Sequence, residues 1–340
     1  MANFVAGPPA VPIEFSDSKL DVSSLNNRSV LITGGAAGIG LACAAKLAEA
    51  GARLTIADLQ ETVGQEVAQD LCSKGHKVQF VCCDVTSYDA QVAMFQKAIE
   101  FGRGKLDVVI PNAGVMREKN LFDMVGSTSS VDGPPPPEPG YLGCDINLQA
   151  VYNTCYLAMH YFRLPRGDDD AYKPSIVLIA SLAGYIGYPS SSTYSMSKFG
   201  VRGLFYGIRD RATRETPPVR VNLVAPCFID TAMTRRTEFV ESEAGGMAKI
   251  MGFVPMENVT TAIMQFAADQ RLHGRAAGLF PNASEDLGDD IEGAFGGPVL
   301  QKHMSGILAD LVKAMTAMAA EKNELSRQDS ATAPTQVSGV

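Results

Sequence analysis

The sequence predicts an α/β protein, a single doubly wound parallel sheet with helices on both faces. Three observations carry this expectation. Short runs of apolar and β-branched residues, as buried parallel strands require, recur at 29–33, 53–57, 77–82, 106–110, 175–180 and 219–224. Stretches of helical spacing lie between them, as at 87–101, where Val92, Phe95 and Ile99 share a face. A glycine-rich loop follows the first strand directly, at Gly34, Gly35, Gly38 and Gly40.

The bulk composition narrows the function. With 340 residues and 46% hydrophobic content, the chain can bury one large core. A net charge of −8 and the lack of a Lys/Arg cluster argue against nucleic acid or an anionic membrane surface, so small molecules are the expected partners. No eighteen apolar residues occur in succession, and no basic segment followed by an apolar run opens the chain, so neither a membrane span nor export is expected. The seven cysteines (43, 72, 82, 83, 144, 155 and 227) lack zinc-like spacing and read as reduced core residues of a cytoplasmic protein. The four histidines share no ligand spacing, so no metal is expected.

Residues 1–27, rich in Pro, Ser and Asn, read as an irregular arm, with order beginning after Arg28. The first strand ends on Thr33; Gly34, Gly38, Ile39 and Gly40 follow, and a helix runs through Leu41, Ala44, Leu47 and Ala48 to Gly51. Such a loop suits a pyrophosphate, because glycines let backbone N–H groups approach it and the helix end adds partial positive charge. The second strand delivers Asp58 about twenty residues further on, where a carboxylate binds the adenosine ribose hydroxyls. It would repel a 2′-phosphate, so NAD is expected rather than NADP.

A polar helix to Lys74 and the third strand lead to Asp84 and Val85; the fourth strand leads to Asn112, Ala113 and Gly114. Residues 115–144 include four successive prolines at 134–137 and predict a stiff, exposed excursion. Helical spacing then runs from Asp145 to about Tyr161, placing Asn147 inside a helix at mild cost. A charged loop at 164–170 precedes the fifth strand, which puts Ser181 at its carboxyl end, where open α/β sheets bind ligands. Tyr194 and Lys198 stand four apart in the first turn of the next helix and so share a face. The sixth strand leads to Pro226, Cys227, Phe228, Ile229 and Thr231. A helix from Met256 to about Asp269 and a short run at 276–280 finish the sheet. The domain is placed at 28–281, an extension with an amphipathic helix at 282–322, and a disordered tail at 323–340.

Over about residues 28–280 the ordered set resembles the short-chain dehydrogenase/reductase family. Its members here are Thr33-Gly34-x-x-x-Gly38-Ile39-Gly40, Asp58, Asn112-Ala113-Gly114, Asn147, Ser181, Tyr194, Lys198 and Pro226 to Thr231. The resemblance implies a Rossmann-like fold, with Asp84 and Val85 flanking the adenine and Asn112 to Gly114 stabilising the sheet beside the nicotinamide ribose. It places Lys198 on that ribose, Asn147 on a water-linked proton path to Lys198, and Thr231 on the nicotinamide carboxamide, with Tyr194, Pro226 and Ile229 also against the cofactor. It further implies a mobile substrate lid at 228–256 and a homodimer or homotetramer paired through long helices. Within the family, Asp58 and the Phe228–Thr231 loop look like NAD-linked alcohol dehydrogenases of the 15-hydroxyprostaglandin dehydrogenase type. Two departures bear on local backbone: Cys227 replaces the usual Gly after Pro226, and Pro281-Asn282 replaces the usual Asp-Gly-Gly-like ending.

Oxidation of a secondary alcohol needs a base at the oxygen as hydride leaves the carbon. Tyr194 is the expected base, with Lys198 beside it favouring phenolate, Ser181 on the reacting oxygen and Asn147 completing the relay. The expected substrate is an apolar alcohol or ketone of the secondary-metabolite kind, touching Met116, Leu182, Tyr188, Phe228 and Met233. The alternative is a non-catalytic nucleotide-binding scaffold that keeps the fold.

Overall fold

The computed structural model describes residues 11–15, 20–116, 130–167, 171–188 and 192–288. Its strands are β1 (Ser29–Thr33), β2 (Arg53–Asp58), β3 (Lys77–Cys82), β4 (Val108–Ile110), β5 (Ser175–Ile179), β6 (Arg220–Pro226), β7 (Ala276–Phe280) and β8 (Ala283–Asp286). They form one sheet in the order β3-β2-β1-β4-β5-β6-β7-β8. Pairing is parallel from β3 through β7, with Ile32 flanked by Ile56 on one side and Ile110 on the other. The β-branched runs that predict strands are the buried ones: every residue of β1, β4, β5, β6 and β7 is buried, while edge strand β3 exposes Lys77 and Cys82.

The connecting helices are α1 (Gly38–Glu49), α2 (Glu61–Ser73), α3 (Tyr88–Phe101), α4 (Leu142–Cys144), α5 (Ala150–Tyr161), α6 (Ser192–Ala212), α7 (Thr237–Val240), α8 (Glu243–Met251) and α9 (Met256–Ala268). None of the described helices is long and apolar enough to cross a membrane. The strand order reverses between β1 and β4, and this opens a crevice at the strands' carboxyl ends.

The structure departs from the sequence-based expectation in several places. The fourth strand is shorter than 106–110 because the Asp107 carboxylate takes the Ser29 N–H and pairs with Arg28 and Arg166, clamping the start of β1. Pro281-Asn282 makes a turn into β8, which returns antiparallel on β7, so the boundary at 281 falls inside a hairpin. Asp286 at its end accepts from the Ile13 N–H and from Arg275 Nε, tying the amino-terminal arm to the sheet. Leu25, also in that arm, is fully buried, so packing begins before Arg28. Cys72 and Cys82 are exposed rather than core residues. The helix expected at 301–321 and the tail at 323–340 lie outside the described residues, as does most of the first half of the 115–144 excursion; the described residues 130–140 form no helix or strand.

One partly buried histidine carries a pH prediction. His273 Nδ1 accepts the Val221 N–H at 3.1 Å, and burial, with Arg220 nearby, pushes the imidazole down from 6.5 to about 4. The unfolded chain therefore takes up a proton that the folded protein refuses, so this stabilisation is complete above 6.5 and is lost as pH falls through about 4. Its size is on the order of 3 kcal/mol. His273→Gln is expected to flatten the fall in Tm between neutral and acid pH. Parallel curves for the two proteins would remove His273 from that role.

Candidate active site

The crevice holds a cleft of about 520 Å³. At one end the glycine loop wraps from β1 into α1. Gly34 and Gly38 adopt left-handed φ values of +66° and +54°, and a Cβ on Gly40 would stand 2.0 Å from the Gly34 carbonyl oxygen. Only hydrogen fits there, and the loop closes tightly enough to bring its N–H groups to a phosphate. Thr33 Oγ1 accepts the N–H groups of Asn112 and Ala113, both at 3.1 Å. Asn112 Nδ2 returns bonds to the carbonyls of Thr33 (2.9 Å) and Gly34 (3.0 Å). Thr33 and Gly40 thus brace the loop from behind, while Gly34, Gly38, Ile39, Asn112, Ala113 and Gly114 line the cleft.

Asp58, at the end of β2, also lines the cleft, and its carboxylate is held by the N–H groups of Ala36 and Gln60, each at 3.0 Å. Leu59, Gln60, Cys83, Asp84 and Val85 line the cleft too, and none is positively charged. Leu59 and Gln60 were not expected from the sequence; adjacency to Asp58 was the available signal. The close glycine loop and the fixed carboxylate fit a dinucleotide.

At the other end, Ser181 leaves β5 and caps the short turn Leu182–Gly184. Its Oγ accepts the Ala183 N–H at 3.1 Å and donates to the Pro226 carbonyl at 3.2 Å. Tyr194 and Lys198 do fall in the first two turns of α6, and both line the cleft. Lys198 Nζ donates to the Ile179 carbonyl at 3.0 Å and stands 5.6 Å from the centre of the Tyr194 ring. Burial acts on both groups: it pushes the Tyr194 phenol up, with a Ser181 hydrogen bond pulling partly back, and it pulls Lys198 down to about 8. The expectation that Lys198 simply lowers the phenol omitted this shared desolvation.

Asn147 is not in a regular helix but in a π turn, Asp145–Gln149, ahead of α5. Its Oδ1 accepts the Val115 N–H at 2.8 Å, and its Nδ2 donates to the Val115 carbonyl (2.9 Å) and to Ser197 Oγ (3.2 Å). Ser197 in turn donates to the Tyr194 carbonyl at 2.7 Å, linking the π turn to α6. The sequence reading missed Ser197, although its place three residues after Tyr194 on a buried helix face was a signal. A Cβ on Gly114 would lie 3.3 Å from Asn147 Oδ1 and 3.9 Å from Lys198 Nζ, so Gly114 occupies the space between those two groups.

Pro226, Ile229 and Thr231 line the cleft, and Thr231 Cγ2 would be 3.5 Å from a Cβ on Gly38. Cys227 needs no left-handed backbone: among the described residues only Asn27 and Arg103 have positive φ without being glycine. Its N–H donates to the Leu279 carbonyl at 2.9 Å, and burial pushes its thiol up to about 11. Met116, Tyr188, Phe228 and Met233 line the cleft, but Leu182 does not. It is fully buried, because Ser181 takes the cleft side of the turn and the next side chain points into the core. Phe239 and Ile146 line the cleft in addition. Among the described residues no group of three or more His, Cys, Asp or Glu could hold a metal ion.

The short chain dehydrogenase family model matches residues 28–241. The 5′-hydroxyaverantin dehydrogenase of Dothistroma septosporum is 38% identical over 299 residues, which cover 86% of this chain and 97% of that one. An NADP-dependent dehydrogenase of Cochliobolus lunatus, clz5, is 34% identical over 219 residues, 63% of this chain and 75% of that one. Among solved structures, a short-chain type dehydrogenase/reductase from Mycobacterium marinum superposes with a TM-score of 0.63 at 26% identity, covering 77% of this chain and 97% of the other. With its sheet shared by such a structure and more than a third of its aligned residues shared by a dehydrogenase matched almost end to end, this chain belongs to the short-chain dehydrogenase family of oxidoreductases, which use a nicotinamide nucleotide.

Proposed function

We propose that the protein oxidises a secondary alcohol of an apolar small molecule with NAD, and reduces the corresponding ketone in reverse. The convergence of Ser181, Tyr194 and Lys198 on the cleft that also holds the glycine loop carries this reading. A bound nicotinamide would supply the acceptor for the hydride that leaves the alcohol carbon. The Tyr194 phenolate takes the proton from the alcohol oxygen, and Ser181 Oγ orients that oxygen by hydrogen bonding. The Lys198 ammonium offsets the phenolate charge and holds the nicotinamide ribose. Asn147 acts as a positioning residue, fixing the Val115 backbone beside Lys198 so that a water path can return the proton to solvent. Thr231 would hold the carboxamide, and Asp84 and Val85 would flank the adenine.

The segment 228–256, with α7 and α8, acts as the substrate lid, and a relative named for acting on 5′-hydroxyaverantin supports a secondary-metabolite alcohol as substrate. Exposed Tyr152 and Tyr156 on α5 and Met196 and Phe199 on α6 support pairing through these helices into a homodimer or homotetramer. Appearance of NADH absorbance with a panel of secondary alcohols tests the reaction. A panel that gives none, with NAD bound, would instead favour the scaffold reading.

NAD is proposed over NADP on the strength of Asp58, whose carboxylate is held in place beside lining residues without positive charge. The expected kcat/KM ratio is at least about tenfold in favour of NAD, and Asp58→Ser is expected to erode it, since a 2′-phosphate no longer meets a fixed negative charge. A wild-type preference for NADP, as in the Cochliobolus lunatus relative's name, would sink the Asp58 argument.

A further inference from the structure

The substrate end of the cleft has a wall made of three aromatic rings. Phe228 stands between the other two, with its ring centre 5.7 Å from that of Tyr188 and 5.9 Å from that of Phe239, inclined at 33° and 62°. All three are more than nine-tenths buried, and all three line the cleft that Tyr194 also lines. Met116 and Met233 line the same cleft with polarisable thioethers, which pack well against rings. Tilted and edge-on arrangements at these separations are those that aromatic groups prefer with one another, so a further ring extends the set favourably where a saturated ring gains only contact area.

Tyr188 adds a polar element to this wall. Its backbone N–H is fixed by Ser195 Oγ at 3.1 Å, yet its hydroxyl has no hydrogen-bond partner among the described residues. Burial chiefly opposes its ionisation, with smaller contributions from the Cys227 thiol and the Tyr194 phenol, so the hydroxyl lies within electrostatic reach of the reacting end. That hydroxyl is not sealed from the cleft, so an oxygen on the substrate can take the place of water as its hydrogen-bond partner.

The geometry points to a substrate whose carbinol is carried on an aromatic ring, that ring stacking in the Tyr188–Phe228–Phe239 wall, with a second oxygen on the ring hydrogen-bonded to the Tyr188 hydroxyl. This rests on the dehydrogenase reading above and adds the class of alcohol. Three probes separate its parts: methyl phenyl carbinol, methyl cyclohexyl carbinol and methyl (hydroxyphenyl) carbinol. Phenyl is expected to exceed cyclohexyl in kcat/KM by about tenfold, and the hydroxyphenyl probe to exceed phenyl by several-fold more. Phe228→Leu is expected to collapse the first ratio. Tyr188→Phe, which keeps the ring and the packing, is expected to lose only the second.

Binding of the matching methyl ketones in the presence of NAD, where neither can react, distinguishes the two levels. If no carbinol is turned over but phenyl ketone still binds better than cyclohexyl ketone, and Phe228→Leu removes the difference, the dehydrogenase reading fails and the aromatic site stands. If carbinols are turned over with no ring preference, the aromatic site is overturned and the reaction stands. Equal binding of both ketones, or binding of neither, also overturns it.

Discussion

Tyr194→Phe is expected to lower turnover of any alcohol substrate by at least about a hundredfold, the lower range for loss of a general base, while NAD binds within about a factor of two of wild type. The substitution removes one oxygen and keeps the rest of the local structure. The ring retains its place 5.6 Å from Lys198, and the α6 backbone keeps its link from the Tyr194 carbonyl to Ser197. Ser181 loses its phenol partner but keeps its bonds to Ala183 and Pro226, so it stays on the cleft side of its turn. The glycine loop and Asp58 are built from β1, β2 and β4, none of which the change touches. Single-turnover kinetics with NAD, together with calorimetric titration of NAD, separate the two effects. Near-normal turnover would remove Tyr194 from the role of base, and a matching loss of NAD binding would make it a structural residue instead.

The parts of this architecture that were legible in the sequence are those set by local chemistry. β1, β2 and β5 read as strands because a strand buried on both faces must be apolar throughout, and the glycine loop was visible because only glycine tolerates the approach of Gly34 and Gly40. The shared helix of Tyr194 and Lys198 is legible because four residues in a helix return to one face. What escaped depends on partners distant in the chain. β4 starts late because Asp107 meets Arg28 and Arg166, and neither contact leaves a trace in the 106–110 run. β8 was unforeseen because its pattern is half-exposed at every position, as an edge strand's can be, and lacks the apolar run that marks its neighbours. The π turn at Asn147 is held by Val115 and Ser197, 32 and 50 residues away. Leu182 was misplaced because a turn one residue after the strand reverses which side chain takes the cleft. The opposing pulls on Tyr194 and Lys198 likewise arise from burial, which spacing does not report.

Lys198→Met is expected to displace the pH dependence of alcohol oxidation by at least two units to the alkaline side, costing about a hundredfold or more in kcat/KM near neutrality. In the wild-type protein the buried pair gives up its first proton with the lysine already drawn down to about 8, and the remaining proton is shared between ammonium and phenol. Oxidation, which needs phenolate, therefore rises with pH at an onset that belongs to the pair rather than to either group alone. Without the cation, the phenol must ionise alone at a site whose burial holds it above its ordinary 10. Methionine keeps the length and apolar bulk of the lysine stem, so packing beneath Ile179 is preserved and the charge is the main loss. The same burial reverses the sign for stability. Because the folded lysine titrates at about 8 and the unfolded one at 10.5, the unfolded chain holds the extra proton between those values, and wild-type stability rises with pH across them by on the order of 3 kcal/mol. The methionine variant lacks that rise and should melt higher than wild type at neutral pH. An oxidation limb unmoved by the substitution would show that Lys198 does not set the ionisation of Tyr194. Higher Tm with the limb displaced is the result that places the cost of burying this cation against its use in catalysis.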